Sequence, residues 1–78
     1  GQINIIFSSS SPNLGEINIY DVSGKLVFNV KQIKLSQGDN LFKWDAKSHN
    51  GSSLSTGLYI VSIDTGTRIK NHKILYLK

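Results

Sequence analysis

The sequence predicts an all-β fold: a small antiparallel β-sandwich of six or seven strands. Three observations carry this. Apolar residues recur with a period of two along nearly the whole chain, so most segments offer one apolar and one wet face. Clusters of Gly, Asn, Asp and Ser interrupt the pattern at short intervals. No window shows a sustained helical period framed by caps.

"QINIIF", residues 2–7, is the first strand, and "SSSSPN", with the only Pro, ends it. Ser8 to Ser11 read as a flexible linker or loop. "EINIYDV" sets Ile17 and Ile19 against Glu16, Asn18 and Tyr20. "SGK" follows, and Gly24 can take the positive φ of a hairpin turn. In "KLVFNVK" the alternation places Leu26, Phe28 and Val30 on one face, with Lys25, Val27, Asn29 and Lys31 on the other. "LSQGDN" is a second turn cluster. "NLFKW" puts Phe42 and Trp44 on one face, and "GLYIVSID" does the same for Tyr59, Val61 and Ile63. "DTGT" marks a third hairpin around Gly66. The last strand, "RIKNHKILYLK", is apolar on both faces from Ile74 to Leu77, as suits a strand covered on both sides. Gly24, Gly38, Gly51, Gly57 and Gly66 are read as turn or bulge positions where a side chain would clash.

At 78 residues the chain is one domain, 1–78, near the lower size limit for a core without staples. It has no Cys, so neither a disulfide nor a thiolate metal site is available. It has no Met and begins at Gly1, which fits a module cut from a longer protein. No apolar run is long enough to span a bilayer, so membrane insertion is not expected. The net charge is +4, but the nine Lys and Arg are scattered. Their densest group, Arg68, Lys70, His72 and Lys73, alternates with apolar residues as a strand with one wet face does. No nucleic-acid motif accompanies it, and no nucleic-acid partner is expected.

The search for chemistry is negative. Of the acids Glu16, Asp21, Asp39, Asp45 and Asp64, four fall at strand ends or turns, where a carboxylate accepts backbone N–H groups. None marks a facing catalytic pair. His49 and His72 share no ligand spacing. A calcium site of loop oxygens around Asp45 and Asn50 lacks the twelve-residue loop pattern. Neither His has a partner acid for a serine nucleophile, and no glycine-rich phosphate loop exists. No catalytic residue, no metal ligand and no cofactor are assigned. Trp44, Tyr20, Tyr59 and Tyr76 could form a sugar-stacking platform, but Trp44 is in phase with Phe42, and Tyr59 with Val61 and Ile63. Those are core positions.

Three blocks in order give a resemblance over nearly the whole length: "INIYDVSGKLV", then "QGDNLFKWDAKSHNGSSLSTGLYIVSI", then "RIKNHKILYLK". Together they resemble the type A C-terminal sorting domain of the type IX (Por) secretion system. They also resemble the closely similar immunoglobulin-like module of the flagellar hook-capping protein family. The hairpin of both is matched by Ile19, Tyr20, Asp21, Gly24, Lys25 and Val27. The long second stretch is matched first by Gly38, Asn40, Phe42, Trp44, Asp45, Asn50 and Gly51, then by Gly57, Tyr59, Val61 and Ile63, and the terminal block by Lys73, Ile74, Leu75, Tyr76, Leu77 and Lys78. The structural motif is therefore Asp21, Gly24, Gly38, Asn40, Trp44, Asp45, Gly51, Gly57 and Tyr59. One position departs: Ala46 stands where the pattern has Gly after Trp-Asp, which asks for a less strained turn there or a different one. Asp45 is expected to cap backbone N–H groups of the loop ending near Gly51.

The resemblance implies an immunoglobulin-like sandwich and a non-catalytic role. As a sorting domain it would be the C-terminal module of a larger secreted protein, exported through the periplasm to the cell surface or medium. Its partners would be the outer-membrane secretion machinery, a sortase-like peptidase and the parent's own catalytic or adhesive domain. The alternatives are a structural spacer or assembly module, or an accessory carbohydrate-binding domain of an extracellular hydrolase. Recognition is expected at the terminal strand, through Lys70, Lys73, Leu75, Leu77 and Lys78, because an edge strand offers unpaired backbone groups and its lysines steer a partner.

Overall fold

The computed structural model describes residues 2–78. Among them are six strands: β1 (Ile3–Ser9), β2 (Asn13–Asp21), β3 (Leu26–Leu35), β4 (Gly38–Trp44), β5 (Gly57–Asp64) and β6 (Ile69–Tyr76). All pairings are antiparallel. β1 and β4 form a two-stranded sheet, and the other four form a sheet ordered β3-β2-β5-β6. The sheets pack face to face on a core of Ile5, Phe7 and Trp44 from the first, with Ile17, Ile19, Leu35, Tyr59, Val61 and Ile63 from the second. This is the small antiparallel sandwich that the alternation predicts, and burial decides it: in β1, β2 and β5 alternate residues are closed to solvent, from Ile5 to Ser9, Gly15 to Ile19 and Tyr59 to Ile63.

β3 does not alternate cleanly. Its register against β2 shifts twice. Ile19 pairs with Phe28 but Tyr20 pairs with Leu26, so Val27 is an extra residue in a bulge. The bulge puts Leu26 and Phe28 on opposite faces although they are two apart. Phe28, Val27 and Val30 pack against the core, whereas Leu26 is 42% exposed. The predicted Leu26–Phe28–Val30 face is corrected to that extent. The second shift lies between Gly15–Ile33 and Ile17–Val30. Here Gln32 takes φ 56°, a left-handed conformation costing a non-glycine residue about 1–2 kcal/mol. That insertion turns Ile33 and Leu35 back onto the core face after Lys31 has pointed outward.

Three other expectations change. β1 runs on to Ser9, so Ser8 and Ser9 are strand residues. The Ser9 Oγ–H donates to the Ser11 carbonyl at 2.7 Å, and the Ser8 carbonyl and Oγ accept from Lys70 Nζ at 2.9 and 2.8 Å. β6 is an edge strand paired only with β5: Ile74 and Tyr76 lean on the core, while Leu75 is 64% exposed and Leu77, past the strand end, 71%. The covered-on-both-sides reading of Ile74 to Leu77 is overturned, because among the described residues none covers the outer face that carries Leu75. Among the glycines, Gly24, Gly38, Gly51 and Gly66 do take positive φ, but Gly57 does not, and a Cβ there would meet nothing within 4 Å.

The glycine that packing demands is Gly15. A Cβ there would stand 2.7 Å from Leu35 Cδ1 and 2.9 Å from the Asp64 carbonyl oxygen. The side chain of Leu35 can shift; the β5 backbone cannot shift cheaply. Gly15→Ala is predicted to destabilise by about 1–3 kcal/mol through overpacking. Gly57→Ala should instead gain about 0.4–1 kcal/mol by restricting the unfolded chain. Urea denaturation of the two variants checks the contrast.

Candidate functional site

The stretch from Trp44 to Gly57 carries the densest motif in the sequence, and the structure builds it as a pinned connection between the sheets. Trp44 ends β4 at 1% exposure. Its ring centroid lies 6.2 Å from Phe28 and 6.0 Å from Tyr59, the latter edge-on. The indole Nε1–H donates to the Lys47 carbonyl at 3.1 Å, which satisfies the one polar atom that burial would otherwise orphan. Tyr59 does the same from the other side: its hydroxyl donates to the Ser55 carbonyl at 2.7 Å, the backward bond of a tyrosine corner. Both rings are therefore unavailable as a sugar platform.

Between these two anchors the loop holds itself. Leu54 N–H donates to the Ala46 carbonyl at 3.2 Å and Ser48 N–H to the Ser52 carbonyl at 2.9 Å. His49 N–H reaches the Val27 carbonyl at 3.0 Å, closing part of the free edge of β3, and its ring stacks on Phe28 at 5.7 Å. Asp45 does not supply the cap expected of it. It is exposed, and the acceptor inside the loop is Asn50, whose Oδ1 takes the Ser48 hydroxyl and the Ser52 N–H. The turn at Ala46 is not relaxed either. Ala46 is buried and left-handed, with φ 60°. The glycine geometry is kept and the alanine carries its cost.

The other motif residues prove to be turn chemistry. At the β3–β4 turn, Asn40 Oδ1 accepts the Ser36 N–H at 2.9 Å, and its Nδ2 donates to the Ser36 and Gly38 carbonyls at 2.9 and 3.1 Å. At the β2–β3 turn, Asp21 Oδ1 accepts the Ser23 N–H, the Ser23 hydroxyl and the Lys25 N–H at 2.9, 2.6 and 3.0 Å. These bonds favour the charged form. The Ser23 hydroxyl first, then the Lys25 N–H, hold the Asp21 carboxyl below the ordinary carboxylate range, with the Lys25 charge a smaller aid. Glu16, on the outer face of β2, accepts from Asn18 and Asn29. Among the described residues no three His, Cys, Asp or Glu converge as a metal site.

The terminal strand is the one predicted recognition element left in the open, and its residues divide. Lys70 shares the inward phase of Ile74 and Tyr76, and its ammonium is held on Ser8. Lys73 and Leu75 have the opposite phase. Lys78 lies beyond β6, where its backbone N–H donates to Thr56 Oγ1 at 2.9 Å. So the five residues do not form one patch. Register shows what joins the outward ones: Leu75 pairs with Leu58, Lys73 with Ile60, Ile60 with Tyr20, and Tyr20 with Leu26. An apolar band of Leu75, Leu58, Ile60, Tyr20 and Leu26 thus crosses the outer face of the four-stranded sheet, with Lys73 at its rim. Of this band and its rim, the sequence reading singles out only Leu75 and Lys73 for recognition. The signal for Leu58, Ile60 and Tyr20 was present as apolar side chains on the nominally wet phase of two strands; Leu26 carried none, because the bulge changes its phase.

Comparison with known proteins adds an assignment. The family model described as the FlgD Ig-like domain matches residues 1–68. The chain belongs to the FlgD Ig-like domain family. The crystal structure of FlgD from P. aeruginosa superposes with a TM-score of 0.73 at 17% identity, covering 94% of this chain and 59% of that one. This chain thus spans little more than half of that relative, and at such identity the likeness speaks for the fold alone. No curated protein matches it. For this Ig-like module the match covers the Asp21 hairpin, the Asn40 turn and the Trp44–Tyr59 connection, and it stops at residue 68, before β6 begins.

The Asp21 hairpin of this FlgD-like module gives a pH prediction. A carboxyl whose folded pKa is depressed contributes stability above its unfolded pKa and loses it as pH falls through the folded value. Asp21→Asn should therefore melt below the parent at neutral pH. The gap should close on acidification through and below the ordinary carboxylate range, where the parent's Asp21 is neutral too. Thermal melts of both proteins across pH check this.

Proposed function

We propose that this domain is a non-catalytic structural and assembly module that joins a larger protein to a protein partner through β6 and the outer face beside it. The observation that carries the reading is the apolar band from Leu75 to Leu26, which reaches the open edge of β6. A free strand edge invites main-chain pairing, and alternate side chains beside it supply selectivity. Membership of the FlgD Ig-like family supports a scaffold role over an enzymatic one. Burial of Trp44 and Tyr59 argues against an accessory carbohydrate-binding role.

A narrower version of the same reading rests on the Lys-bearing terminal block. In it the domain is the C-terminal sorting signal of a secreted cargo, the partner is the type IX outer-membrane machinery with its sortase-like peptidase, and the parent travels through the periplasm to the cell surface or medium. What favours it is placement: Lys73 and Leu75 are exposed on an edge strand, where a receptor can reach them.

One variant separates the versions. Leu75→Glu alters an exposed side chain and should change stability by no more than about 0.5 kcal/mol. If the domain is a sorting signal, the full-length parent carrying this change accumulates in the periplasm. If it is an assembly module, the parent is delivered normally but no longer co-purifies with its partner. Normal delivery together with undiminished partner recovery would overturn both versions.

A further inference from the structure

The basic group of the C-terminal segment is sorted by face, and two of its members meet at one end of the sandwich. Arg68 and Lys70 line an open cleft of about 400 Å³ between the end of β1 and the β5–β6 hairpin, together with the hydroxyl residues Ser8, Ser10, Thr65 and Thr67. The lining holds no carboxylate. Asp64, the only acid of the β5–β6 hairpin in the sequence, has the outward phase of β5, and its Oδ1 takes the Gly66 N–H at 2.8 Å.

The donors there are unevenly used. Lys70 Nζ gives two bonds to Ser8, through the carbonyl and Oγ; an ammonium has three N–H groups, so one is left. Ser8 Oγ accepts in that pair and keeps its own proton to donate. Ser10 Oγ and Thr67 Oγ1 face each other across the cleft at 3.4 Å, too far apart to satisfy one another well. The carbonyl of Arg68 is bonded within the turn, to Thr65 N–H at 2.9 Å and Thr65 Oγ1 at 3.3 Å. That fixes the backbone from which its five-donor guanidinium projects. A cleft lined by two cations and several hydroxyls, with no acid, suits a group made of acceptors. Guanidinium binds such oxygens in a two-pronged fashion, and a phosphate monoester carries about −1.5 to −2 charge to set against the two cations.

We propose that this cleft binds a tetrahedral oxyanion, a phosphate or sulfate monoester, with Arg68 as the fork, Lys70 as the point charge and the Ser8, Ser10 and Thr67 hydroxyls as the remaining donors. The ester is carried either by a soluble small molecule or by a lipid headgroup. The site uses the inward phase of the terminal segment, whose outward phase carries Lys73 and Leu75 to the apolar band, so either can be lost without the other.

The test is a titration of the chain with inorganic phosphate and, separately, inorganic sulfate, followed by amide chemical shifts in two-dimensional NMR, with sodium chloride at matched ionic strength as control. Saturable shifts confined to residues 8–10 and 65–70, absent with chloride, are expected. Arg68→Gln keeps a side chain of similar length and should weaken binding about tenfold, the worth of one charge-assisted hydrogen bond. Sedimentation with phosphatidylcholine vesicles, with and without phosphatidic acid, distinguishes the source: binding only to the acidic vesicles assigns a headgroup, and binding to free phosphate but not to vesicles assigns a soluble ester. Absence of binding in every arm, shifts reproduced by chloride, or an affinity unchanged in Arg68→Gln would overturn the proposal.

Discussion

The structure depends on how one indole is buried. A core drawn from two strands on one side and four on the other needs a large side chain at its centre, and Trp44 is the only Trp in the chain. It touches Phe28 of β3 and Tyr59 of β5, so it fills the space between the sheets. Its N–H cannot be left unpaired there, and the cost of doing so would be about 1–3 kcal/mol. The bond to Lys47 meets that need and bends the chain sharply after β4. The left-handed Ala46 follows from that bend. The loop, the tyrosine corner and the His49 contact with β3 are then arranged around a position that the indole has already set.

The same reasoning explains how much could be read from the sequence. Strands whose two faces differ sharply were legible: Ile17 and Ile19, or Tyr59, Val61 and Ile63, alternate with polar neighbours and are buried as predicted. Turns that need left-handed backbone were legible where glycine supplies it, as at Gly24 and Gly38. The bulges in β3 were not, because a bulge shifts the phase without any composition signal. Leu26 reads as a core residue and faces water; Gln32 and Ala46 adopt the conformation usually left to glycine. Gly57 misled in the other direction. Gly15, whose Cβ would meet the β5 backbone, owes its requirement to Leu35 and Asp64, residues far away in sequence.

For the terminal strand, the sequence named five residues that the fold divides between two faces and the chain beyond β6. Alternation along β6 separates Lys70 from Lys73 and Leu75, and only the strand register reveals that Leu75 lies across from Leu58, one row along from Ile60 and Tyr20 on the same face. A fold of this kind hosts many roles, so the proposals rest on two surfaces: a free edge with an apolar band on one phase of the terminal strand, and a cationic, hydroxyl-lined cleft on the other. The wide connection rich in motif residues has a different purpose. Its polar groups are spent on one another and on the two buried rings.

The central claim is that the Trp44 N–H, and not only the bulk of its ring, organises the connection after β4. Native-state hydrogen exchange on Trp44→Phe tests it most directly, because phenylalanine keeps an aromatic core residue and removes the donor. The account predicts that the amides of Ser48, His49, Gly51 and Leu54 lose protection relative to the parent by more than the drop in global stability, while those of Ile17, Ile19 and Val61 follow the global value. Loop amides that stay protected in step with the sheet would contradict it, and would mean that the connection holds its shape without the indole.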